Sequence, residues 1–367
     1  MENTNLSTGL LQPKQELLKS KQHFEILDGL RGVAALAIVV FHFMEMAISD
    51  FSKNFIAHGF LAVDFFFCLS GFVIGYAYND RIGKMGVMEF FKSRLIRLQP
   101  LVILGTALGL LAFLFDPFGG QAEAYSAGKI FLLFLSSLLL IPFPVMEERA
   151  FNNFGLNAPA WSLFWEYVAN IIFAFGLYKI GRYVLLSLTI ASAVLLGYTA
   201  YHANGVTGGW AGANFWEGGA RILYSFLAGL LIFRLNLIIK SNLGFAGLSI
   251  LLIIAFLVPF DSQSWITQLI TVLFYFPLLI ALGAGARVSQ GLKKLCEFSG
   301  RISYPLYMTH YLAMWMFYNY YNTYKPDTPQ LTLVIIIGTL LLLGFAYLVM
   351  VFYDEPIRKY LNDRRKN

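Results

Sequence analysis

Three ionisable side chains inside apolar runs are the residues of this sequence best suited to do chemistry. His42, Asp64 and Glu166 each lie within a run of membrane length. A charge at the centre of a bilayer costs at least about 2.5 kcal/mol, so each of them is a functional-site hypothesis. Because a carboxylate bonded to one imidazole nitrogen raises the basicity of the other, the three residues predict a buried general base.

The depth of these groups favours a contact between them. In the topology derived below, each lies roughly 8–9 Å from the outer end of its run, at about 1.5 Å per residue. Mutual pairing lowers the cost of burial in a low dielectric, so we expect Asp64 to orient His42. Two alternatives stay open: His42 could bond a neighbouring carbonyl group, and Glu166 could neutralise Arg221.

Three guanidinium groups are expected near the inner surface of the membrane, opposite the outer ends of these runs. Ten residues separate Arg31 from His42, which is roughly 16 Å along a helix. Asp28 lies beside Arg31, and Arg94 and Arg97 are expected at the same inner surface. Planar guanidinium groups bind phosphate through paired hydrogen bonds. The positive-inside rule explains these arginines equally well.

A second histidine, His310, is expected near the midplane of a later span, within SYPLYMTHY. It could donate a hydrogen bond to a substrate carbonyl group or line the path to the base. Equally, it could be a packed core histidine bonded to Tyr304 or Tyr307.

The composition is that of a polytopic membrane protein. Of the 367 residues, 58% are hydrophobic and 13% are charged, and the mean hydropathy is +0.64. We expect a multi-pass, all-α integral membrane bundle in the plasma membrane. The net charge of +6 follows from basic loops on one face, so nucleic-acid binding is not expected. Cys68 and Cys296 differ too much in their surroundings to suggest a disulfide or a metal site.

Eleven apolar segments define the elements that must position these side chains. They are residues 26–48, 59–78, 98–115, 128–143, 160–178, 183–201, 219–233, 244–260, 265–286, 302–320 and 331–353. Segment 128–143 is the shortest and ends in prolines, which favours a re-entrant or interfacial segment. With ten spans and both termini in the cytoplasm, 22 Lys and Arg lie inside and 5 outside. If 128–143 crossed, the numbers would be 12 and 15, so the positive-inside rule favours ten spans.

The loops between these segments carry further signals. Loops 144–159 and 202–218 combine Gly, Asn and aromatic residues. They are either flexible turns with interfacial anchors or a groove that holds an exported polar acceptor. Residues 81–100 alternate apolar and basic positions at helical spacing, which predicts an interfacial amphipathic helix. Pro100 is expected to mark the start of the next span.

The domain organisation follows from this topology. We expect a cytoplasmic tail over residues 1–25, a transmembrane domain over 26–355 and a basic cytoplasmic tail over 356–367. The predicted features are arginines at the inner surface, a buried base and polar outer loops. They suit the transfer of a group from a cytosolic phosphorylated donor to an acceptor outside the cell. They equally suit a proton-coupled transporter or flippase. A third possibility is a non-catalytic membrane partner, which would tolerate substitution at His42 and Asp64.

The order of the motifs resembles that of the acyltransferase-3 family of integral-membrane O-acyltransferases. The chain carries, in this order, ILDGLRGVAALAIVVFH, GFLAVDFFFCLSGFVIGY, RLIRLQP, PAWSLFWE and SYPLYMTH. The likeness covers about residues 24–355. The second motif departs from the family in opening with Gly59 and Phe60, where a double glycine is frequent.

The resemblance implies a ten-helix enzyme that moves an acyl group from acyl-CoA to a hydroxyl group of an exported or cell-envelope carbohydrate. The donor would be acetyl-CoA or another acyl-CoA, and no metal would take part. The partners would be a carbohydrate or glycolipid acceptor and the lipid bilayer. Because the sequence stops at Asn367, no fused extracytoplasmic domain is expected, and a protein acting on the acceptor would be a separate chain.

Carried over residue by residue, the resemblance implies roles for the matching positions. His42 would be the catalytic histidine, and Arg31 its partner in the Arg-x10-His motif. Arg94 and Arg97 would be the donor-binding pair, and Asp64 matches the aspartate of the second-span motif.

The proposed chemistry is direct transfer. We expect His42, oriented by Asp64, to deprotonate the acceptor hydroxyl group, with Glu166 as a further catalytic residue. A covalent acyl-enzyme through Ser162 is disfavoured because the sequence places no base beside it. Supporting roles are expected for Asp28, Trp161, Ser162, Arg221, Tyr304 and His310.

Overall fold

A computed structural model describes residues 23–119 and 121–366, and these ranges are helical, with two isolated bridges and no β-strand. The helices are α1 (Glu25–Ala47), α2 (Ala62–Tyr78), α3 (Ile82–Met85), α4 (Val87–Leu114), α5 (Ala127–Leu138), α6 (Ala160–Ile172), α7 (Arg182–Ala203), α8 (Phe215–Arg234), α9 (Gly244–Leu257), α10 (Ser264–Ile270), α11 (Phe276–Gly285), α12 (Gln290–Thr309), α13 (Tyr311–Tyr324), α14 (Thr328–Val349) and α15 (Glu355–Lys366). Three π-helical turns extend α6, join α10 to α11 and join α14 to α15. The all-α prediction is therefore confirmed for the described residues.

Seven helical stretches in the described part of the chain are long and apolar enough to cross a membrane. They are Glu25–Ala47, Gly59–Tyr78, Val87–Leu114, Ala160–Leu177, Arg182–Ala203, Ser264–Gly285 and Thr328–Arg365. Three expected spans are not among them: 219–233, 244–260, whose helix α9 has 14 residues, and 302–320, which a break at His310 divides between α12 and α13. The count of ten spans and the orientation of the termini stay predictions.

The helix formed by segment 128–143 is shorter than the hydrocarbon core of a bilayer. The helix α5 has 12 residues, which corresponds to roughly 18 Å at about 1.5 Å per residue. The hydrocarbon core of a bilayer is about 30 Å thick. This length agrees with the expected re-entrant or interfacial segment.

The span predicted to start at Pro100 is continuous with the interfacial helix predicted before it. The short helix α3 ends at Gly86, whose φ of +82° suits glycine, and α4 then runs unbroken for 28 residues with Pro100 inside it. A proline removes one intrahelical hydrogen bond. Pro100 has no N–H to donate to the carbonyl oxygen of Ile96. Two other carbonyl oxygens of this turn accept bonds from tyrosines far along the chain, Leu98 from Tyr304 (2.7 Å) and Pro100 from Tyr353 (3.0 Å).

Glycines allow two helix pairs to pack at close range. A methyl group at Gly71 of α2 would overlap the carbonyl oxygen of Phe226 in α8, and one at Gly229 of α8 would overlap that of Cys68. The helices α1 and α12 approach in the same way, where Gly300 faces Asp28. Small residues of this kind let membrane helices associate through van der Waals contact. The two close pairs position the charged residues described next.

The terminal segments are only partly covered. The expected tail over residues 1–25 lies almost wholly outside the described residues, and α1 begins at Glu25. The expected C-terminal tail, residues 356–367, is largely helical, because α15 continues α14 through a π-helical turn.

Candidate active site

The helix α1 places Arg31 and His42 on one face. They are eleven positions apart, which is close to three turns at about 3.6 residues per turn. Glu45 follows one turn after His42 on the same face. The helix therefore carries a guanidinium group, an imidazole ring and a carboxylate along a single stripe.

His42 is paired with Glu45. The distance from His42 Nδ1 to Glu45 Oε2 is 2.8 Å, and the His42 side chain is 17% exposed. The ring also stacks on His310 at 5.3 Å between centroids. With Glu45 as a carboxylate that accepts from Nδ1–H, Nε2 is left to take a proton. Sequence analysis missed Glu45, although its i,i+3 spacing from His42 within an apolar run was a usable signal.

The expected contact between Asp64 and His42 is wrong. Asp64 is fully buried and accepts two hydrogen bonds from Arg221, from Nε at 3.1 Å and from Nη2 at 2.6 Å. Arg221 also donates to the carbonyl oxygen of Gly208 (2.7 Å) and lies 5.0 Å from the ring of Trp161. A buried carboxylate gains more from a bidentate guanidinium group than from a neutral imidazole, which explains the different partner.

Glu166 also differs from both expectations, since it contacts neither His42 nor Arg221. Its Oε1 accepts from Arg94 Nη2 at 2.7 Å and from Ser70 Oγ at 3.2 Å. Glu166 and Arg94 are both largely buried, at 19% and 12% exposure. The pair joins α6 to α4 on the side of the bundle that carries the other arginines.

A cavity of about 250 Å³ surrounds the imidazole ring. We name it the histidine cavity; among its lining residues are His42, Glu45, Arg149, Trp210, Arg221 and Trp315. Loops 144–159 and 202–218 both contribute to its lining. They also bond each other, because Asn153 N donates to the carbonyl oxygen of Trp210 (2.8 Å) and Asn152 forms a bridge with Ala211. Loops 144–159 and 202–218 are thus tied together; whether they hold an acceptor stays a prediction.

A second cavity, of about 320 Å³, lies among the guanidinium groups. We name it the arginine cavity; its lining includes Arg31, Arg94, Arg97, Ser162, Glu166 and Tyr304. The structure therefore brings together the three arginines that the sequence placed at one depth.

The three arginines differ in how far they are already paired. Arg31 donates to Asp28 (2.9 Å), to the carbonyl oxygen of Gly300 (2.8 Å) and to Ser303 (3.0 Å). Arg97 lies 6.0 Å from the ring of Tyr304 and forms no ion pair within the described part of the chain. Arg97 is therefore the guanidinium group most available to an anionic ligand.

The two cavities share a wall. Val63 and Tyr307 line both of them. The hydroxyl groups of Tyr307 and Ser162 are 2.8 Å apart, and Ser162 also donates to the carbonyl oxygen of Pro159 (2.9 Å). An imidazole-lined space and a guanidinium-lined space thus lie back to back inside the bundle.

His310 is a core residue, in line with one of the two expectations. It is fully buried, and its Nδ1 lies 2.9 Å from the carbonyl oxygen of Tyr307 and 3.1 Å from that of Leu306. Of the two tyrosines named as partners, Tyr307 is one through its backbone carbonyl oxygen, while its hydroxyl group lies beside Ser162 and Tyr304 donates to Leu98. His310 supports the His42 ring by stacking.

Groups with metal-ligand geometry do not coincide with either cavity. In residues 23–119 and 121–366, one group qualifies, formed by His23, Glu25 and Glu297 near the start of α1. None of the three lines the histidine or the arginine cavity.

The fold and site define a multi-pass membrane protein with an acid–base pair beside an anion-friendly cavity. Residues 24–351 match the family model described as an acyltransferase domain. The chain therefore belongs to the acyltransferase-3 family, which confirms the resemblance seen in its motifs. It is a multi-pass protein of the bacterial plasma membrane.

Two relatives illustrate the similarity. Protein 2 in the picA locus of Rhizobium radiobacter is 34% identical over 48% of this chain and 94% of its own length. O-acetyltransferase OatA of Staphylococcus aureus is 26% identical over 94% of this chain. The chain spans 58% of the length of that staphylococcal relative. No solved structure matches the chain significantly.

Proposed function

We propose that this protein is an O-acetyltransferase that moves an acetyl group from acetyl-CoA to a hydroxyl group of an exported or cell-envelope carbohydrate. One observation carries the proposal: the His42–Glu45 pair lines a cavity that shares a wall with the arginine cavity. The name of the staphylococcal relative supports O-acetylation. The ten-span topology would place the arginine cavity towards the cytosol.

The transfer would be direct. His42 Nε2 takes the proton of the acceptor hydroxyl group while its oxygen attacks the thioester carbonyl carbon. The carbon–sulfur bond breaks, and the imidazolium ring returns the proton to the departing thiolate. General base catalysis of this kind contributes typically about 10²–10⁴ in rate. Glu45 holds the ring and stabilises the imidazolium form.

Arg221 adds a fixed positive charge to the histidine cavity. Asp64 accepts hydrogen bonds from two nitrogen atoms of Arg221 and thereby fixes the guanidinium group. Asp64 is therefore a positioning residue. A preorganised cation near the thioester oxygen stabilises the negative charge that develops there. Ser162 bonds a backbone carbonyl group and a tyrosine, and no imidazole or carboxylate bonds it among the described residues. This surrounding favours direct transfer over an acyl-enzyme.

The decisive experiment uses labelled acetyl-CoA and the envelope glycans of the host. Purified protein should transfer labelled acetyl to glycan, and cells without the gene should lose O-acetyl groups from one envelope glycan. His42→Ala should lose both activities. Full acetylation by His42→Ala would overturn the mechanism, and solute transport without any use of acetyl-CoA would favour a transporter.

A further inference from the structure

A third cavity lies beside the histidine cavity, across Arg149 and Trp315. Its volume is about 270 Å³, and both of these residues line both spaces. We name it the loop cavity; its lining includes Phe113, Asp116, Gln121, Glu148, Arg149 and Trp315. It does not share the wall formed by Val63 and Tyr307, so it adjoins the histidine cavity at a different wall from the arginine cavity.

Arg149 forms the partition between the two spaces. It is 7% exposed, and its guanidinium carbon lies 4.9 Å from the ring of Phe113 and 5.4 Å from that of Trp315. Its hydrogen bond to another described residue goes to the carbonyl oxygen of Gly155. Because arginine has five N–H donors, several are left for a ligand in either cavity.

Two further polar groups of the loop cavity lack partners. Glu148 Oε2 accepts from the hydroxyl group of Tyr125 at 2.7 Å, whereas Oε1 is buried with no partner among the described residues. The indole nitrogen of Trp315 is likewise buried with no hydrogen-bond partner among the described residues. Buried polar groups in proteins are nearly always hydrogen-bonded. Glu148 and Trp315 both line the loop cavity, so one acceptor and one donor beside it have no protein partner among the described residues.

The chemistry of the lining suits a neutral sugar. Hydroxyl groups donate and accept, and the cavity offers carboxylates at Asp116 and Glu148 together with N–H donors at Arg149 and Trp315. The aromatic rings can cover the apolar face of a sugar ring. Two carboxylates against one guanidinium group disfavour an anionic ligand.

We infer that the loop cavity is a second sugar subsite, so that the acceptor is a glycan of at least two linked sugars. The inference rests on the proposed function, in which the acetylated sugar occupies the histidine cavity. Cavities of 250 and 270 Å³ each lie below the range of about 300–1,000 Å³ of sites for drug-sized ligands. Each therefore suits a single ring, and the two together suit a linked pair.

The test measures how activity depends on the length of the acceptor. The envelope glycan that loses O-acetyl groups in cells without the gene is cleaved into fragments of one to six sugars, and kcat/KM is measured for each with saturating acetyl-CoA. We expect kcat/KM to be about tenfold higher or more for fragments of two or more sugars than for a single sugar. This is the effect of adding a hydrogen bond between the second sugar and a charged side chain. Glu148→Gln should reduce this ratio, and Asp116→Asn provides an independent second variant.

Tyr125→Phe is the matched control. It breaks the same Tyr–Glu hydrogen bond but leaves the carboxylate, and Tyr125 does not line the loop cavity. It should keep the length dependence. Equal kcat/KM for all fragment lengths, or an equal loss in Glu148→Gln and Tyr125→Phe, would overturn the subsite. Failure to acetylate any fragment would instead count against the proposed function itself.

Discussion

At the scale of single residues, the acid–base pair lies within one turn of α1. Glu45 accepts from His42, and both line the histidine cavity. The orienting carboxylate is therefore local, whereas the more distant Asp64 holds an arginine. Glu45 can consequently be replaced without breaking an ion pair between helices.

Replacing Glu45 by Gln should slow the chemical step. We expect kcat to fall on the order of 10²-fold, at the low end of the range for general acid–base catalysis, with the KM for acetyl-CoA unchanged. The measurement is steady-state acetyl transfer by purified protein. Glu147→Gln, in an exposed outer loop, is the control and should retain wild-type kcat. An unchanged kcat in Glu45→Gln would remove Glu45 from the mechanism.

Arg97 should matter mainly for donor binding. Because its guanidinium group has no carboxylate partner among the described residues, Arg97→Ala should remove a charged hydrogen bond to the donor phosphates. Such bonds contribute about 1.5–3 kcal/mol to binding. The KM for acetyl-CoA should therefore rise roughly 10–150-fold, with little change in kcat. Lys92→Ala, on the exposed side of α4, serves as the comparison. A KM equal to that of Lys92→Ala would exclude Arg97 from donor binding.

At the scale of helices, buried ion pairs join elements that are far apart in the chain. Asp64 and Arg221 connect α2 to α8, where glycines bring the backbones together. Arg94 and Glu166 connect α4 to α6 beside the arginine cavity. These pairs hold the walls of the two cavities in a fixed relation.

Breaking the first pair should destabilise the bundle. Asp64→Asn leaves the buried Arg221 without a counter-charge, which typically costs about 3–5 kcal/mol. The expected result is a lower Tm in detergent. The double variant Asp64→Leu with Arg221→Met replaces the pair by apolar groups and should recover most of the Tm, since such replacements are often neutral.

Activity separates the two roles of this pair. The double variant should stay inactive because the positive charge on the histidine cavity is lost. If it regained full acetyl transfer, Arg221 would have only a structural role.

At the scale of the whole molecule, the two cavities meet inside the bundle. Val63 and Tyr307 are all that both linings have in common. In the ten-span topology, this wall separates the side reached by cytosolic acetyl-CoA from the side reached by an exported glycan. Transfer would then need no movement of either substrate across the whole bilayer.

The topology can be tested by cysteine labelling. In a background with Cys68 and Cys296 replaced, Lys53→Cys and Lys325→Cys should react with an impermeant maleimide in spheroplasts. Lys240→Cys should react only after lysis, because its loop is predicted to be cytoplasmic. If segment 128–143 crossed the membrane, Lys53→Cys would still react and Lys325→Cys would not. That result would reject the ten-span arrangement.

Much of the fold follows from local sequence properties. The apolar segments and the common depth of Arg31, Arg94 and Arg97 were predictable because hydropathy and helical period depend on neighbouring residues. The single helix α4 was not, because the packing around Pro100 involves residues more than two hundred positions away, among them Tyr304 and Tyr353, which bond carbonyl groups of this turn.

The sequence by itself determined the family, the all-α class and the stripe on α1 that carries Arg31 and His42. Only the tertiary structure decided the partners of the buried charges that meet across helices: Arg221 for Asp64 and Arg94 for Glu166. Depth along a span can be counted from the sequence, but the direction in which a side chain meets another helix cannot. That direction depends on how helices rotate and pack, and in this bundle the close glycine contacts between helix pairs set it.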